Sequence, residues 1–133
     1  MTPLGEKLRA MRDERGVTLK EMAAALDVSS AYLSALEHGR RGKPTFTLLQ
    51  KIIAYFNVIW DDAEELQRLA EMSDPKITID TAGMSPEATE LANRLARDIG
   101  KLAPLVAGWD IAAQHHGGDG AFYVRLRRER DYR

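Results

Sequence analysis

Between Ser29 and Lys43 the chain sets a row of small and hydroxylated residues directly ahead of a run of cations. Ser30, Ala31, Ser34 and Ala35 come first, with Tyr32 among them, then His38, Arg40, Arg41 and Lys43. Serine and tyrosine hydroxyls make single hydrogen bonds to the edges of nucleobases, and alanine methyls pack on the thymine methyl. Guanidinium and ammonium groups pair with phosphate. The chemistry offered is therefore that of docking into the major groove of a duplex. No Arg, Asn or Gln falls in the row before Gly39. The bidentate pairings to guanine or adenine, each worth roughly 1–3 kcal/mol of discrimination, are thus absent. Part of any selectivity is expected to come from DNA shape and from the spacing of two copies.

Holding such a row away from a small domain takes two short helices and a tight turn. Thr18 followed by Glu21 is a capping box, and Met22, Ala23 and Leu26 form the inner face of the helix it opens. Asp27-Val28-Ser29 predicts the turn, with Ser29 as N-cap of the next helix. Leu33 and Leu36 anchor that helix and Gly39 ends it. Ahead of this pair, Leu4, Leu8 and Met11 fall at helical spacing and Gly16 closes the segment. Behind it, Arg40-Arg41-Gly42-Lys43-Pro44 is a basic loop. Thr45 caps a fourth helix with the apolar stripe Leu48, Leu49, Ile52, Ile53 and Phe56, and Asn57 terminates it. A fifth starts near Asp61 or Asp62, with acids in its first turn and Leu66, Leu69 and Ala70 inside.

Ser73-Asp74-Pro75 breaks the pattern, since proline pushes the preceding residue out of the helical region. The expected division is a five-helix bundle over 1–72, a linker and pairing helix over 73–103, and a C-terminal extension over 104–133. Lys76 to Asp80 alternates apolar and polar, which predicts a short strand. Ser85-Pro86-Glu87 is an N-cap, a proline at the first helical position and an early acid. The helix it opens runs to about Lys101 and sets Ala88, Leu91, Leu95, Ile99 and Leu102 on one narrow stripe, with Pro104 and Gly108 beyond its end. An apolar stripe left in water is costly in a monomer. These five residues are expected to face the same helix of a second chain, with docking on the bundle as the alternative. Trp109 to Ala113 permits one helical turn, His115 to Gly120 reads as a loop, and Ala121 to Val124 as a strand or an apolar plug. The fold class is all-α with a short, partly extended tail.

The net charge of −1 hides segregation. Residues 1–57 carry nine Lys/Arg against six Asp/Glu, whereas 58–100 carry four against ten. Only part of the molecule is suited to a phosphate backbone. Arg125, Arg127, Arg128, Arg130 and Arg133 fit a phosphate-gripping arm, and a solvated tail at least as well. Charged residues at 29% and hydrophobics at 44% describe a globular chain rather than a disordered one. No apolar run approaches the roughly 18–20 residues that span a bilayer, and the charged MTPLGEKLRA does not read as a signal peptide. The expected location is the cytoplasm. With no cysteine there is no disulfide framework and no thiolate metal site. Adjacent His115-His116, with Asp110 and Asp119, is weak metal chemistry, so no metal and no cofactor is expected. A nucleophile elbow, a phosphate loop and a paired-carboxylate site are all missing, which argues against an enzyme.

Gly16, Ala23, Val28-Ser29 at the turn, Leu33-Ser34, Leu36-Glu37 and Gly39 sit where the phage repressor/Cro (XRE-type) helix-turn-helix family has them. From about Leu4 to Leu69 the chain resembles that family, which implies a compact bundle with its third helix in the major groove. The resemblance assigns base contact to Ser30, Ala31 and Ala35, flanked by Tyr32 and Ser34. It places Ser29, His38, Arg40, Arg41 and Lys43 for phosphates, and pairs Arg12 with Glu37 as a structural tie between the first and third helices. Two departures stand out. Leu19 occupies the place of a usual phosphate-touching Gln, leaving that contact to Thr18 or Lys20, and the loop after Gly39 is one residue longer than usual.

The resemblance points to a sequence-specific, homodimeric transcriptional regulator of bacterial or phage type. It would be a repressor that occludes a promoter at a palindromic double-stranded DNA operator. The rival expectation is an antitoxin-type protein that neutralises a protein partner through residues 73–133 and regulates its own operon.

Overall fold

The computed structural model describes residues 1–111 and 122–126, and side chains as far as residue 106. The chain forms two compact units, Met1–Thr78 and Ile79–Arg133. The first holds α1 (Pro3–Arg15), α2 (Leu19–Ala25), α3 (Ser30–Glu37), α4 (Phe46–Phe56) and α5 (Asp61–Glu71).

Four of the five helices start where a hydroxyl satisfies an orphan backbone donor; α5, which follows Trp60, has no side-chain cap. Thr2 Oγ1 accepts from Gly5 N at 3.0 Å ahead of α1. At α2 the capping box is complete: Thr18 Oγ1 accepts from Glu21 N at 3.1 Å while Thr18 N donates to the Glu21 carboxylate at 3.4 Å. Ser29 Oγ accepts from Tyr32 N at 3.0 Å, and Thr45 Oγ1 from Leu48 N at 3.2 Å. The stops are equally local. Gly16 (φ 65°) ends α1 in the left-handed conformation that glycine adopts without steric cost. Asn57 (φ 52°), a residue that tolerates this region, ends α4.

The apolar faces of the five helices converge on one core. Leu4, Leu8 and Met11 come from α1, and Met22, Ala23 and Leu26 from α2 and its end. Leu33 and Leu36 come from α3, Leu48, Leu49, Ile52 and Phe56 from α4, and Leu66 and Ala70 from α5. Leu8, Leu33, Ile52, Phe56 and Leu66 are wholly enclosed. Each such side chain contributes roughly 1.5–3 kcal/mol by leaving water.

Two expectations at the end of the bundle need correction. The bundle does not stop at residue 72: Ser73 is buried, its Oγ accepts from Leu4 N at 2.9 Å and donates to Leu69 O at 2.5 Å. Residues 76–80 form no strand. Lys76 N donates to Asp74 Oδ1 at 3.0 Å and Ala82 N to Asp80 Oδ1 at 2.9 Å, so aspartate side chains bend the backbone into local turns.

The second unit begins with α6 (Pro86–Leu102), capped by Ser85 Oγ, which accepts from Ala88 N at 3.2 Å. This helix buries none of its residues. A 3-10 turn over Ala103–Leu105 leads into β1 (Val106–Ile111), which pairs antiparallel with β2 (Phe122–Leu126). Trp109 faces Val124 and Ile111 faces Phe122 across the ladder, with an irregularity between Val106 and Gly108. Within the tail, Val106–Ile111 and Phe122–Leu126 thus form a two-stranded ribbon. Trp109 to Ile111 lie in a strand rather than in the helical turn expected there, and Gly108 is in the same strand. The His115–Gly120 loop and Arg127, Arg128, Arg130 and Arg133 lie outside the described residues. Among the described residues, no helix is long and apolar enough to cross a membrane.

Candidate nucleic-acid interface

The site is built on α3, and α1 holds α3 in place. The Glu37 carboxylate, at the C-terminal end of α3, is buried and ion-paired with the buried Arg12 guanidinium. The Glu37 carbonyl also accepts from Thr2 N at 2.9 Å and from Thr2 Oγ1 at 3.4 Å. Gly5 lies against this same carbonyl, so close that a side chain there would overlap the Glu37 backbone. Two residues at the start of the chain, Thr2 and Gly5, and one arginine therefore fix the tilt of α3. The Arg12–Glu37 tie implied by the family resemblance is present. Thr2 and Gly5 were not anticipated, although a glycine between Leu4 and Leu8 in an otherwise regular helix is the signal that marks close backbone approach.

With Leu33 and Leu36 turned inward, α3 exposes Ser30 and Ala31 and half-exposes Ser34 and Ala35. Tyr32 differs from the other four candidates for base contact. It is half-buried, packs partly on the core, and carries the Arg41 guanidinium over its ring at 5.9 Å. That cation–π contact links the row on α3 to the basic loop.

The cations are not equivalent. Arg40 and Arg41 are exposed. His38 folds back on α3, with Nδ1 2.8 Å from Ser34 O. Lys43 is engaged: its Nζ donates to Glu71 Oε2 at 2.9 Å, tying the loop to the end of α5. That hydrogen bond, and then the charge of Glu71, hold the Lys43 ammonium above the ordinary lysine value. A raised lysine pKa means the contact is fully formed below lysine's usual range and is lost only as pH rises through the higher folded-state value. Across neutral pH Lys43 stays charged and tethered.

On the other side of α3, Thr18 and Lys20 are exposed at the start of α2, where Leu19 instead packs against the core. An open groove of about 380 Å³ runs between the α2–α3 turn and the start of α4. Ser29, Tyr32, Thr45, Thr47 and Lys51 line it. Lys51 is the cation that reading the sequence passed over: it is a single base opposite the apolar stripe of α4, and only the fold brings it beside Ser29.

Two short helices at a tight turn, the second held outward by buried contacts to the first helix of the bundle, define a helix-turn-helix domain. Residues 8–59 match the family model described as Helix-turn-helix. Among curated proteins, the chain is 34% identical over 62 residues to RghRB of Bacillus subtilis, an uncharacterised HTH-type transcriptional regulator, covering 47% of this chain and 45% of that protein. It is 40% identical over 52 residues to the HTH-type transcriptional repressor RghR of the same organism, covering 39% and 38%. It is also 40% identical over 62 residues to the HTH-type transcriptional regulator DdrOP3 of Deinococcus deserti, covering 47% of each. The match spans less than half the length of each of these relatives. An overlay on the SinR protein/SinI protein complex has a TM-score of 0.39 at 22% identity, covering 74% of this chain and 98% of that one, and is too loose to bear on function.

Proposed function

We propose that the protein is a DNA-binding transcriptional regulator, a homodimeric repressor that lays α3 in the major groove of a palindromic operator and so occludes a promoter. One observation carries this reading. A row of hydroxyls and methyls (Ser30, Ala31, Ser34, Ala35) faces outward from a helix whose inner side is locked to α1, with cations on both flanks. The match of residues 8–59 to the helix-turn-helix family, and the regulators aligned over that segment, support it. In this reading Ser30, Ala31, Ser34 and Ala35 meet base edges, with Tyr32 behind them. Thr18, Lys20, Ser29, His38, Arg40, Arg41 and Lys43 meet phosphates, and Lys51 joins them. Two copies, joined through α6, set two readers about one helical turn of DNA apart, roughly 34 Å.

The phosphate contacts are tested by salt. Binding to duplex DNA is expected to weaken steeply with added salt, with a slope of roughly 0.9 per neutralised phosphate. Replacing Arg40 and Arg41 together with Ala should lower affinity for every sequence and flatten the slope by about 1.8, two contacts at that value each. An unchanged slope removes both from the contact set. A loss confined to one sequence would place them on bases instead.

Lys43 makes an opposite expectation. Glu71 takes one of the three donors of the Lys43 ammonium and competes with phosphate for it. Glu71→Gln therefore releases Lys43 and removes an anion, and is expected to tighten DNA binding several-fold at low salt, measured by fluorescence anisotropy. Weaker binding by that variant would make Lys43 a strut for the basic loop.

A further inference from the structure

The stripe on α6 is its own mirror image. Leu91 and Ile99 lie four residues either side of Leu95, and Ala88 and Leu102 lie seven either side. Leu91 is 68% exposed, Leu95 40%, Ile99 49% and Leu102 42%, so four large apolar side chains on one helix face stand in water.

The flanks of this stripe are unlike each other. At 3.6 residues per turn, Glu87, Arg94, Asp98 and Lys101 fall along one side of it, and Ala92 and Ala96 along the other. Two copies in parallel would set the charged flank of one helix against the alanine flank of its partner. Two copies antiparallel set like against like. About a two-fold axis at Leu95, Glu87 then comes within a turn of the partner's Lys101, and Arg94 within a turn of the partner's Asp98. Both pairs are of opposite sign and each occurs twice by symmetry, while Arg94 also comes within a turn of the partner's Arg94, each guanidinium lying between that one and the Asp98 of the other copy. The alanine flanks allow close approach, and antiparallel helices oppose their dipoles. Arg94 is presently bonded to Glu90 at 2.8 Å and Asp98 to Arg97 at 3.1 Å. Both are exposed pairs, and such pairs exchange at little cost.

We propose that α6 pairs with α6 of a second copy of this chain in antiparallel orientation, with the two-fold axis at Leu95, so that Leu95 meets Leu95, Leu91 meets Ile99 and Ala88 meets Leu102. The pairing rests on the reading of the protein as a homodimer joined through α6 and adds the direction and register in which the two helices meet.

The chain has no cysteine, so full-length Ala88→Cys and Leu102→Cys variants report this directly. Mixed and oxidised, they are expected to give a disulfide-linked heterodimer, while neither links when oxidised alone. In the proposed pair two copies of position 88 lie about 21 Å apart, fourteen residues at ~1.5 Å each. A disulfide needs Cα atoms about 4.4–6.8 Å apart. Self-linking by Ala88→Cys alone would mean a parallel pair and overturns the proposal. A dimer by light scattering that never links overturns it while leaving the dimeric reading intact, and a monomer sinks both. A second measurement keeps the core untouched: Glu87→Lys and Lys101→Glu should each weaken the dimer several-fold, and the double exchange should restore it. Failure of that rescue, in variants with unchanged helical circular dichroism, also counts against the antiparallel pair.

Discussion

Gly5→Ala is expected to lower the stability of the helix-turn-helix domain by about 2 kcal/mol or more, the scale of overpacking a tight contact. Two effects compete. Replacing a helical glycine with alanine stabilises a helix by roughly 1 kcal/mol through backbone entropy. Against this, the new methyl carbon would overlap the Glu37 carbonyl oxygen and lie 2.8 Å from both the Glu37 carbonyl carbon and its Cα. These are backbone atoms, so no side chain can swing aside, and α1 must move off α3. The steric effect wins. Thermal unfolding followed by circular dichroism should show a drop in Tm of at least several degrees, given roughly 4–8 °C per kcal/mol for a domain of this size. DNA affinity should fall further than stability alone explains, because the displaced contact is the one that sets the tilt of α3. A variant as stable as the parent would mean that Gly5 is there for no steric reason.

Arg12→Ala is expected to cost about 3–5 kcal/mol, the largest single loss predicted for this chain, because it strands the Glu37 carboxylate as a buried, unpaired charge. Glu37 is 2% exposed and Arg12 7%, so water cannot take over the lost partner. The pair itself is a weak source of net stability, since burying both ions consumed much of their mutual attraction. Replacing both residues with methionine should therefore recover most of the loss, leaving the double variant more stable than either single one. Urea titrations of the four proteins decide the matter. Additive losses would show that the two side chains act independently. The recovered double variant should still bind DNA more weakly, having lost the directional tie between α1 and α3.

Both effects concern contacts that local patterns announce unevenly. Thr18 with Glu21, Ser29, Thr45 and Ser85-Pro86 are legible because a cap involves residues within one turn of each other, and all four open the helices expected of them. The apolar stripes of α1 to α5 are legible for the same reason, as spacing alone places them on one face. What spacing cannot carry is contact between residues far apart in the chain. Gly5 against Glu37, Ser73 against Leu4, and Lys43 with Glu71 are pairs of that kind. The last changed the reading of a candidate phosphate ligand into a tethered one. Tyr32 shows the limit within the row itself: its position on α3 suggests full exposure, yet the bundle and Arg41 cover part of it.

Beyond the bundle, periodicity was ambiguous for a physical reason. Lys76 to Asp80 alternates as a strand does, but a strand needs a ladder, and the flanking aspartates turn the backbone before one can form. Trp109 to Ile111 alternates over only three residues and still becomes a strand, because Val124 to Phe122 lies opposite to complete the pairing. In the first segment the deciding groups are local side chains that outweigh the alternation, and in the second the deciding partner lies outside the local sequence. The stripe on α6 is legible from spacing alone, whereas its symmetry about Leu95 gains meaning because the helix buries none of its residues.

In the proposed reading α3 presents Ser30, Ala31, Ser34 and Ala35 to base edges in the major groove. The most direct test is selection of bound duplexes from a random pool by the full-length protein, followed by base-modification interference on the enriched site. The expected result is an enriched two-fold symmetric site with half-sites about one helical turn apart, blocked by modification of major-groove atoms or removal of thymine methyls in each half. No enrichment, or interference confined to the minor groove, would contradict it.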